Sequence, residues 1–367
     1  MKRVNREGLL RCLESVQPGL AKREDIQNSS CFVLYAGDVL SFNEEVACRC
    51  PSPLDKETEG AVRADKLLDL LRKMTEEEVI VTAIDGHLEI KGKGRRAGIA
   101  MESDTEDFRG FINAIEAPTT WKPLHADFCD AVKTVGRCAN QQAASVGGEF
   151  LTTCVRLHPR WIEACDEIQA CRWRLKTGVQ EPSLVRHVAI KNITSLGMSK
   201  FSETDSWLHF KNESGLILSC RRFLEEYPDL TKMFEIRGKP TTLHKGLIGE
   251  AEKGAIFAIE NENKLLKVKL RRGEIRIDGI GVSGWYRGRR RETAYEGRPV
   301  DFLISADTLI GLIGEHSEVD QSKTQTTLFE LTEDKLFART EHYTYFTCLS
   351  TPQKDKEPEP VEVAEDG

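Results

Sequence analysis

The residue type with the most conspicuous chemistry in this sequence is cysteine, because the chain has eleven of them. Cys48-Arg49-Cys50 and the trio Cys154, Cys165 and Cys171 offer the thiols that a zinc site needs. Structural zinc sites usually show paired CxxC-like knuckles, and this sequence has none. We therefore predict no metal site and interpret the scattered, odd-numbered cysteines as reduced thiols of a cytosolic protein.

Motifs of the common catalytic sites are also missing. Eight histidines and many carboxylates are present, but HExxH, GxSxG and Walker-type glycine loops do not occur. Gly279, Gly281 and Gly284 do not open a helical pattern, so neither a dinucleotide site nor any other cofactor is predicted. A multidomain α+β enzyme with a cysteine or carboxylate site stays open as the alternative function.

The most basic stretch is the run Trp285–Arg291 (WYRGRRR). Its arginines could contact phosphates and its aromatic residues could stack on bases. The simpler interpretation is a solvated loop that connects two hairpins of the chain. We expect this second interpretation.

The whole chain is acidic, with 52 Lys and Arg against 59 Asp and Glu and a net charge of −7 over 367 residues. This balance argues mildly against a protein that wraps nucleic acid. No apolar run approaches the ~20 residues of a membrane span, and no apolar signal core follows the basic start. The sequence predicts a soluble cytoplasmic protein that does not contact membranes.

Helix and hairpin patterns alternate along the chain in three consecutive copies. Each copy reads helix, strands, helix, strands, with a period of about 115–120 residues. The apolar spacing predicts helices over residues 5–16, 63–74, 125–138, 184–196, 243–257 and 305–316. Asp85-Gly86 is a strong hairpin turn inside one copy. The predicted domains are residues 1–117, 118–236 and 237–352, followed by a disordered acidic tail at 353–367.

Such repeats leave strand edges that must be paired, and edge-to-edge joining of the units would meet this need. We therefore predict the α+β class, with three tandem domains of two helices on antiparallel hairpin sheets, assembling into a closed ring. If one chain cannot close the ring, identical chains close it by symmetric association. A structural or interaction protein without a ring is a third hypothesis.

At three places the sequence resembles the bacterial DNA polymerase III beta subunit, the sliding clamp, in a divergent or phage-encoded form. Arg221–Leu230 (RRFLEEYPDL) is similar to the family's phrase RLIEGEYPDY, and Glu59–Leu71 to its first-domain helix. Asp301–Leu309 falls where the family has its third-domain helix. Ala164–Cys171 and Phe346–Ser350 depart from the family's pattern, which suggests a different set of partners.

The resemblance implies a non-catalytic processivity factor that encircles double-stranded DNA without regard to sequence. It also implies a homodimer, because two chains of three domains match the family's six-domain ring. DNA polymerase and the clamp loader would bind through short peptide motifs. Such peptides carry apolar anchors that enter a pocket.

Three sets of candidate residues follow from the helix predictions and the resemblance. Cations of the central channel are Arg6, Arg11, Lys22, Arg23, Arg63, Lys66, Lys73, Lys133, Arg137, Arg186, Lys191, Lys245 and Lys253. The partner-peptide pocket is assigned to Leu151, Cys165, Glu167, Ile168, Ala170, Thr308, Phe346, Cys348 and Leu349. The oligomer interface is assigned to Ala97, Ile99, Ile256 and Phe257.

The predicted helices change how the acidity of the chain is interpreted. Their six cores contain twelve Lys and Arg against ten Asp and Glu, so they carry about +2 and the rest of the chain about −9. A mildly basic channel with an acidic rim suits a ring that holds DNA loosely.

Overall fold

The computed structural model describes residues 2–115, 118–140, 150–260, 264–291, 295–319 and 326–351. Its chain divides into two compact units. The first comprises Met1–Glu167 and Cys171–Pro228, and the second comprises Ile168–Ala170 and the chain from Asp229 onward. The predicted acidic tail lies outside the described residues, as does the end of the predicted first domain at residue 117. The three predicted domain boundaries stay predictions.

The first unit contains helices and strands in the alternation that the repeats predict. Its described helices are α1 (Arg6–Ser15), α2 (Ala64–Lys73), α3 (Glu106–Asn113), α4 (Phe128–Val135), α5 (His187–Ile190) and α6 (Asn192–Ser195). Its described strands are β1 (Lys2–Asn5), β2 (Cys31–Tyr35), β3 (Asp38–Phe42), β4 (Val46–Pro51), β5 (Gly60–Arg63), β6 (Glu78–Ile84), β7 (His87–Gly92), β8 (Arg95–Glu102), β9 (Lys122–Pro123), β10 (Cys154–His158), β11 (Trp161–Cys165), β12 (Gln169–Arg174), β13 (Ser183–Arg186), β14 (Lys200–Glu203), β15 (Trp207–Lys211) and β16 (Ile217–Arg221).

The second unit repeats the same alternation. Its described helices are α7 (Thr231–Glu235), α8 (Leu247–Ala258) and α9 (Ala306–Val319). Its described strands are β17 (Lys239–His244), β18 (Leu265–Arg271), β19 (Glu274–Ile280), β20 (Trp285–Arg290), β21 (Val300–Ser305), β22 (Thr326–Leu331), β23 (Lys335–Arg339) and β24 (Tyr343–Cys348).

Among the described residues, the strands form six sets of four, each a three-stranded antiparallel meander with a fourth strand added to its first strand. The sets are β5-β2-β3-β4, β1-β6-β7-β8, β13-β10-β11-β12 and β9-β14-β15-β16 in the first unit, and β21-β18-β19-β20 and β17-β22-β23-β24 in the second. The six sets form three pairs, one pair for each copy. Within a pair, the strand added to one set is followed along the chain by the helix that belongs to the other set. For example, β1 pairs with β6, and β5 pairs with β2. This exchange occurs three times and confirms the predicted α+β class and three tandem copies.

Local sequence explains much of this architecture. In α1, Leu9, Cys12 and Leu13 are buried on one face, and Asn5 caps the helix by accepting the Gly8 N–H at 2.8 Å. The helices contact each other in pairs, α1 with α2, α4 with α6 and α8 with α9. The predicted Asp85-Gly86 turn is confirmed, because both residues have positive φ, as a two-residue hairpin turn requires.

One predicted helix is wrong. The apolar spacing over residues 184–196 suggested a single helix, but Ser183–Arg186 forms strand β13 and only two short helical turns follow it. Leu184 and Val185 are buried strand residues that pair with β10. A short apolar run has no period of its own, so it fits a buried strand as well as a helix.

The first and second copies are joined inside the first unit by main-chain hydrogen bonds. Strand β4 pairs antiparallel with β16, and Val46 lies opposite Cys220. The Arg221 N–H donates to the Glu45 carbonyl oxygen at 2.8 Å and extends this ladder. The join therefore consists of a continuous sheet rather than a loose contact between surfaces.

A buried histidine lies on β15, beside this join. His209 is 1% exposed, with Nδ1 2.8 Å from Ser219 Oγ and Nε2 3.3 Å from Thr204 Oγ1. Burial lowers the pKa of His209 to about 4, because the imidazolium would lose its hydration. The folded protein therefore contains this histidine in its neutral form at neutral pH.

We predict that acid destabilises the protein through His209. Between about pH 6.5 and pH 4 the unfolded chain binds a proton at this residue that the folded chain excludes. Stability is therefore complete above about pH 6.5 and falls by up to about 3 kcal/mol as the pH approaches 4. Urea unfolding at about pH 7.5 and about pH 5 measures this. His209→Asn should reduce the difference between the two pH values, and His87→Asn, at an exposed hairpin position, should not. An unchanged difference in the first variant would contradict this prediction.

Candidate nucleic-acid and partner interfaces

Four of the predicted DNA-binding cations come from the α1–β2 loop and the start of α2 in the first unit. Lys22 and Arg23 are exposed in the loop, and their neighbour Glu24 accepts hydrogen bonds from Asn28 N–H (2.8 Å) and Ser30 Oγ (3.0 Å). Arg63 Nη1 lies 3.9 Å from Glu24 Oε2, which links the loop to α2. This contact brings the predicted cations of the loop close to those at the start of α2.

Carboxylates offset part of this positive charge. Arg63 Nε lies 3.4 Å from Asp65 Oδ1, and Lys66 Nζ lies 3.6 Å from Asp65 Oδ2. Such exposed pairs are individually weak and are screened by salt. Lys22 and Arg23 are therefore the strongest candidates in this group for contact with an external phosphate.

Arg6 has a structural role instead. Its side chain is half-buried, and its guanidinium donates to the carbonyl oxygens of Leu71 (3.1 Å) and Glu76 (2.9 Å). The last carbonyl groups of a helix have no partner within the helix, so Arg6 supplies one at the end of α2. This guanidinium stabilises the contact between α1 and α2.

Arg186 likewise differs from the prediction, which placed it on a helix facing the channel. It ends strand β13, and its side chain is only 13% exposed. Its Nη1 lies 3.7 Å from Glu45 Oε1, and its guanidinium carbon lies 5.6 Å from the centre of the Phe150 ring. These contacts hold the charge inside the protein. Without Arg6 and Arg186, the helix cores have ten cations against ten carboxylates, and the predicted surplus of positive charge disappears.

The remaining predicted cations are exposed. Lys253 lies 3.5 Å from Glu250 Oε1 on α8. The full group is Arg11 on α1, Lys73 on α2, Lys133 on α4, Arg137 after α4, Lys191 between α5 and α6, Lys245 before α8, and Lys253. Their role in binding DNA stays a prediction.

The residues assigned to the predicted peptide pocket are distributed over both units. In the first unit, Leu151 lies in a short helical turn (Phe150–Thr153), and Glu167 is exposed. Cys165 donates its backbone N–H to Tyr227 Oη (2.9 Å), and the Tyr227 hydroxyl donates to Cys165 Sγ at 3.2 Å. Tyr227 belongs to the phrase EYPDL that carried the resemblance, and it fixes the position of Cys165.

In the second unit, the predicted pocket residues differ in exposure. Ile168 and Cys348 are exposed, and Cys348 donates its backbone N–H to the Ile168 carbonyl oxygen at 2.7 Å. Phe346 is buried between the rings of Phe234 and Phe337, each with its centroid 5.5 Å away. Ala170 and Leu349 are buried as well and belong to the core. The hydroxyl groups of Thr308 and Ser305 share a hydrogen bond at the start of α9. Whether these residues share one pocket with Leu151, Cys165 and Glu167 stays a prediction.

The predicted interface residues lie on two surfaces. Ala97 and Ile99 lie on β8, which pairs with β7 along its length and with β5 only at Met101 and Glu102. The β8 edge beside Ala97 and Ile99 is therefore open within the described chain.

The second surface lies at the end of α8, where Ile256 is 65% exposed and Phe257 is half-buried against Gly284. Three exposed apolar neighbours were not predicted from the sequence: Ile259, Ile280 and Val282. The spacing of Ile259 three residues after Ile256 could have suggested the first. The exposure of Ile280 and Val282 depends on the turn between β19 and β20, which the sequence pattern does not reveal.

The alternative function requires a reactive cysteine or carboxylate. Burial raises the pKa of Cys48 to about 12 and that of Cys154 to about 11, so both thiols stay protonated. Cys50 differs, because a hydrogen bond with Cys12 lowers its pKa to about 7, but its side chain is buried. An enzyme site needs access for substrate, so this pair does not favour catalysis.

The described residues contain no group of three or more His, Cys, Asp or Glu side chains arranged to hold a metal ion. In the same residues, no helix has the length and apolar character needed to cross a membrane.

We predict that Lys22→Glu with Arg23→Glu weakens binding to duplex DNA and leaves the fold intact. Both side chains are exposed in a loop, so reversing their charge removes phosphate contacts without disturbing the core. The slope of log K against log salt should fall by about 2, about 1 for each lost contact. Arg174→Glu with Lys176→Glu is the matched control, an equal charge change at exposed positions of the same unit. Equal loss in both variants would show only a dependence on net charge and contradict the assignment.

No protein-family model matches the sequence, and no curated protein matches it significantly. Solved structures do match. The DNA polymerase III subunit beta of Pseudomonas aeruginosa has a TM-score of 0.78 at 13% identity, over 95% of this chain and 99% of that chain. The beta subunit of Thermotoga maritima has a TM-score of 0.76 at 11% identity, over 96% and 99%. A P. aeruginosa sliding clamp bound to griselimycin has a TM-score of 0.73 at 12% identity, over 95% and 99%. The chain therefore has the three-domain α+β fold of the DNA polymerase III beta subunit, the sliding clamp.

Proposed function

We propose that this protein is a DNA sliding clamp, a non-catalytic subunit that encircles duplex DNA and tethers a DNA polymerase. The observation that carries the proposal is the extent of the fold likeness. About 95% of the chain aligns with clamps that are themselves covered to 99%, so little chain is left for a separate catalytic site. The protein would act in the cytoplasm, where bacterial DNA is replicated.

The physical task of a clamp is to keep an enzyme near its substrate without gripping the DNA. A tethered polymerase stays at high effective concentration at the primer end, so each dissociation is followed by rapid rebinding. Exposed cations such as Lys22 and Arg23 attract phosphates equally at every position along the duplex. Because no base edge is read, the protein can move along the DNA.

The near-equal number of cations and carboxylates on the helix cores fits this task. Ten positive and ten negative side chains leave only a weak net field once Arg6 and Arg186 are assigned to structural contacts. A strongly basic surface would bind DNA tightly and slow its movement. Topological closure, and not affinity, would then provide the long residence on DNA.

The proposal includes a homodimeric ring. Ile256 and Ile259 on one copy would pack against Ala97 and Ile99 on the open β8 edge of the other. Two such head-to-tail contacts, related by a twofold axis, close a six-domain ring from two chains. Ala97 is small, so the apolar contact is thin.

The proposal also includes binding of polymerase and clamp-loader peptides at the predicted pocket residues. Griselimycin binding by the P. aeruginosa clamp supports a ligand site on this fold. In this chain, exposed Ile168 and Cys348 are held together by their main-chain hydrogen bond, which gives an apolar and a polar contact for a short extended peptide. The divergent residues around them suggest partner motifs specific to this protein.

We predict that the purified protein is a dimer that Ile256→Asp with Ile259→Asp converts to monomer. The new carboxylates would have to be buried without partners, which strongly disfavours association. Sedimentation velocity measures the mass. Leu224→Asp, at a 67% exposed apolar position of the first unit, should leave the dimer unchanged. A wild-type monomer at all concentrations would contradict this interface.

We predict that the protein, once loaded on nicked circular DNA by its clamp loader, stays bound through a high-salt wash. Linearising the circle should release it, because a ring is then free to slide off the ends. Gel filtration of loaded DNA before and after cutting measures this difference. Equal loss from both DNA forms would mean ordinary electrostatic binding and would contradict the clamp proposal.

A further inference from the structure

The basic run Trp285–Arg291 has a different structure from the predicted loop. Most of it forms β20, the edge strand of the four-stranded sheet β21-β18-β19-β20 in the second unit. Across the sheet, Arg287 lies opposite Asp278 and Arg289 lies opposite Arg276. Because side chains alternate along a strand, Trp285, Arg287 and Arg289 point to one face.

This face, directed away from α8 and here named the basic sheet face, continues across β19 and β18. The opposite face is buried against α8, so close that a Cβ at Gly279 would lie 2.0 Å from the Gly254 carbonyl oxygen. The basic sheet face carries six cations, Lys267, Lys269, Arg271, Arg276, Arg287 and Arg289. It carries three carboxylates, Glu274, Asp278 and Asp301, so three positive charges remain in excess.

One carboxylate orders the centre of the basic sheet face. Asp278 is 3% exposed, and its oxygens lie 2.7 Å from Arg276 Nε, 3.4 Å from Arg287 Nε and 3.6 Å from Lys269 Nζ. A single negative charge cannot neutralise three cations, so the cluster remains positive while its side chains are held in place. Such preorganisation lowers the entropy that binding an anion would cost.

The two other carboxylates of this face are paired as well. Asp301 Oδ1 lies 2.6 Å from Arg271 Nη1, and Glu274 forms an ion pair with Arg289. Arg287 and Arg289 nevertheless remain about half exposed, with side-chain exposures of 52% and 54%. An approaching polyanion therefore meets accessible guanidinium groups.

Trp285 indicates which polyanion fits. Trp285 is 64% exposed, and the Arg287 guanidinium carbon lies 5.1 Å from the centre of the indole ring. An exposed aromatic ring beside cations offers stacking for a base and charge for its phosphate. The bases of a duplex are already stacked on each other, so only an unpaired base can stack on an indole at a sheet surface. An acidic peptide would use the cations but would have no group that stacks on the exposed indole.

We propose that the basic sheet face binds single-stranded nucleic acid, with phosphates on Arg287 and Arg289 and a base stacked on Trp285. This site is separate from the cations proposed to meet duplex DNA. It would give the protein a second contact with DNA wherever a single strand passes the sheet of the second unit.

The test is fluorescence anisotropy of a labelled thymidine oligonucleotide of about 20 nucleotides with the full chain at low salt. The wild type should bind it, and Trp285→Ala should weaken binding on the order of tenfold. Arg287→Gln with Arg289→Gln should reduce the salt slope by about 1.4, which is about 0.7 for each contact. Arg174→Gln with Lys176→Gln, which removes the same charge at exposed positions outside both proposed DNA sites, should leave the affinity within about twofold. Circular dichroism and sedimentation of each variant check its fold and mass.

The proposal is overturned if the wild type does not bind the oligonucleotide, or if binding survives both changes on the basic sheet face. It is also overturned if a synthetic peptide of residues 352–367, which is acidic, binds this face while the oligonucleotide does not. Failure of retention on circular DNA with intact oligonucleotide binding would contradict the clamp proposal alone. Loss of oligonucleotide binding with intact retention on circular DNA would contradict the single-strand proposal alone.

Discussion

Unpaired strand edges are the constraint on which this fold depends. A three-stranded meander exposes two rows of backbone N–H and C=O groups, and each row is a template for unwanted pairing. Here each meander receives a fourth strand from the neighbouring half of its repeat, as β1 is added to β6 and β5 to β2. The helix that follows each added strand is thereby placed beside the sheet, so the pairing also positions the helices. The β4–β16 ladder meets the same need between the first two copies.

Local ion pairing determines which charges are available to a ligand. Arg6 and Arg186 look like surface cations in the sequence. Main-chain carbonyl groups instead accept hydrogen bonds from the half-buried Arg6, and Glu45 lies beside the largely buried Arg186. On the basic sheet face of the second unit, by contrast, the charges stay accessible. The buried Asp278 lies near three cations there, and the face keeps a net positive charge. Net charge therefore says little about which surfaces of this protein could bind an anion. The arrangement of partners within a few ångströms is what matters.

Sequence reasoning predicted the elements with strong local signals. The structure confirms the helix over residues 5–16, the Asp85-Gly86 turn and the threefold alternation of helices and hairpins. Periodicity and turn type depend on residues that are close together in the sequence, so they can be predicted from it. The predicted helix over 184–196 was wrong because the four-residue strand Ser183–Arg186 has only two apolar residues, too few to show a period. The exchanged strands were not predicted, since their partners are distant in sequence. For the same reason the exposure of a candidate cation such as Arg6 could not be predicted, because its partners at Leu71 and Glu76 are about 70 residues away.

In the proposed assembly, two copies of this chain close into a ring through which duplex DNA passes. Electron cryomicroscopy of the purified protein mixed with a long duplex tests this assembly. We expect class averages of a closed ring with six similar segments and density for one duplex in the central hole. Open arcs, single chains, or DNA lying only against the outside of the particle would contradict it.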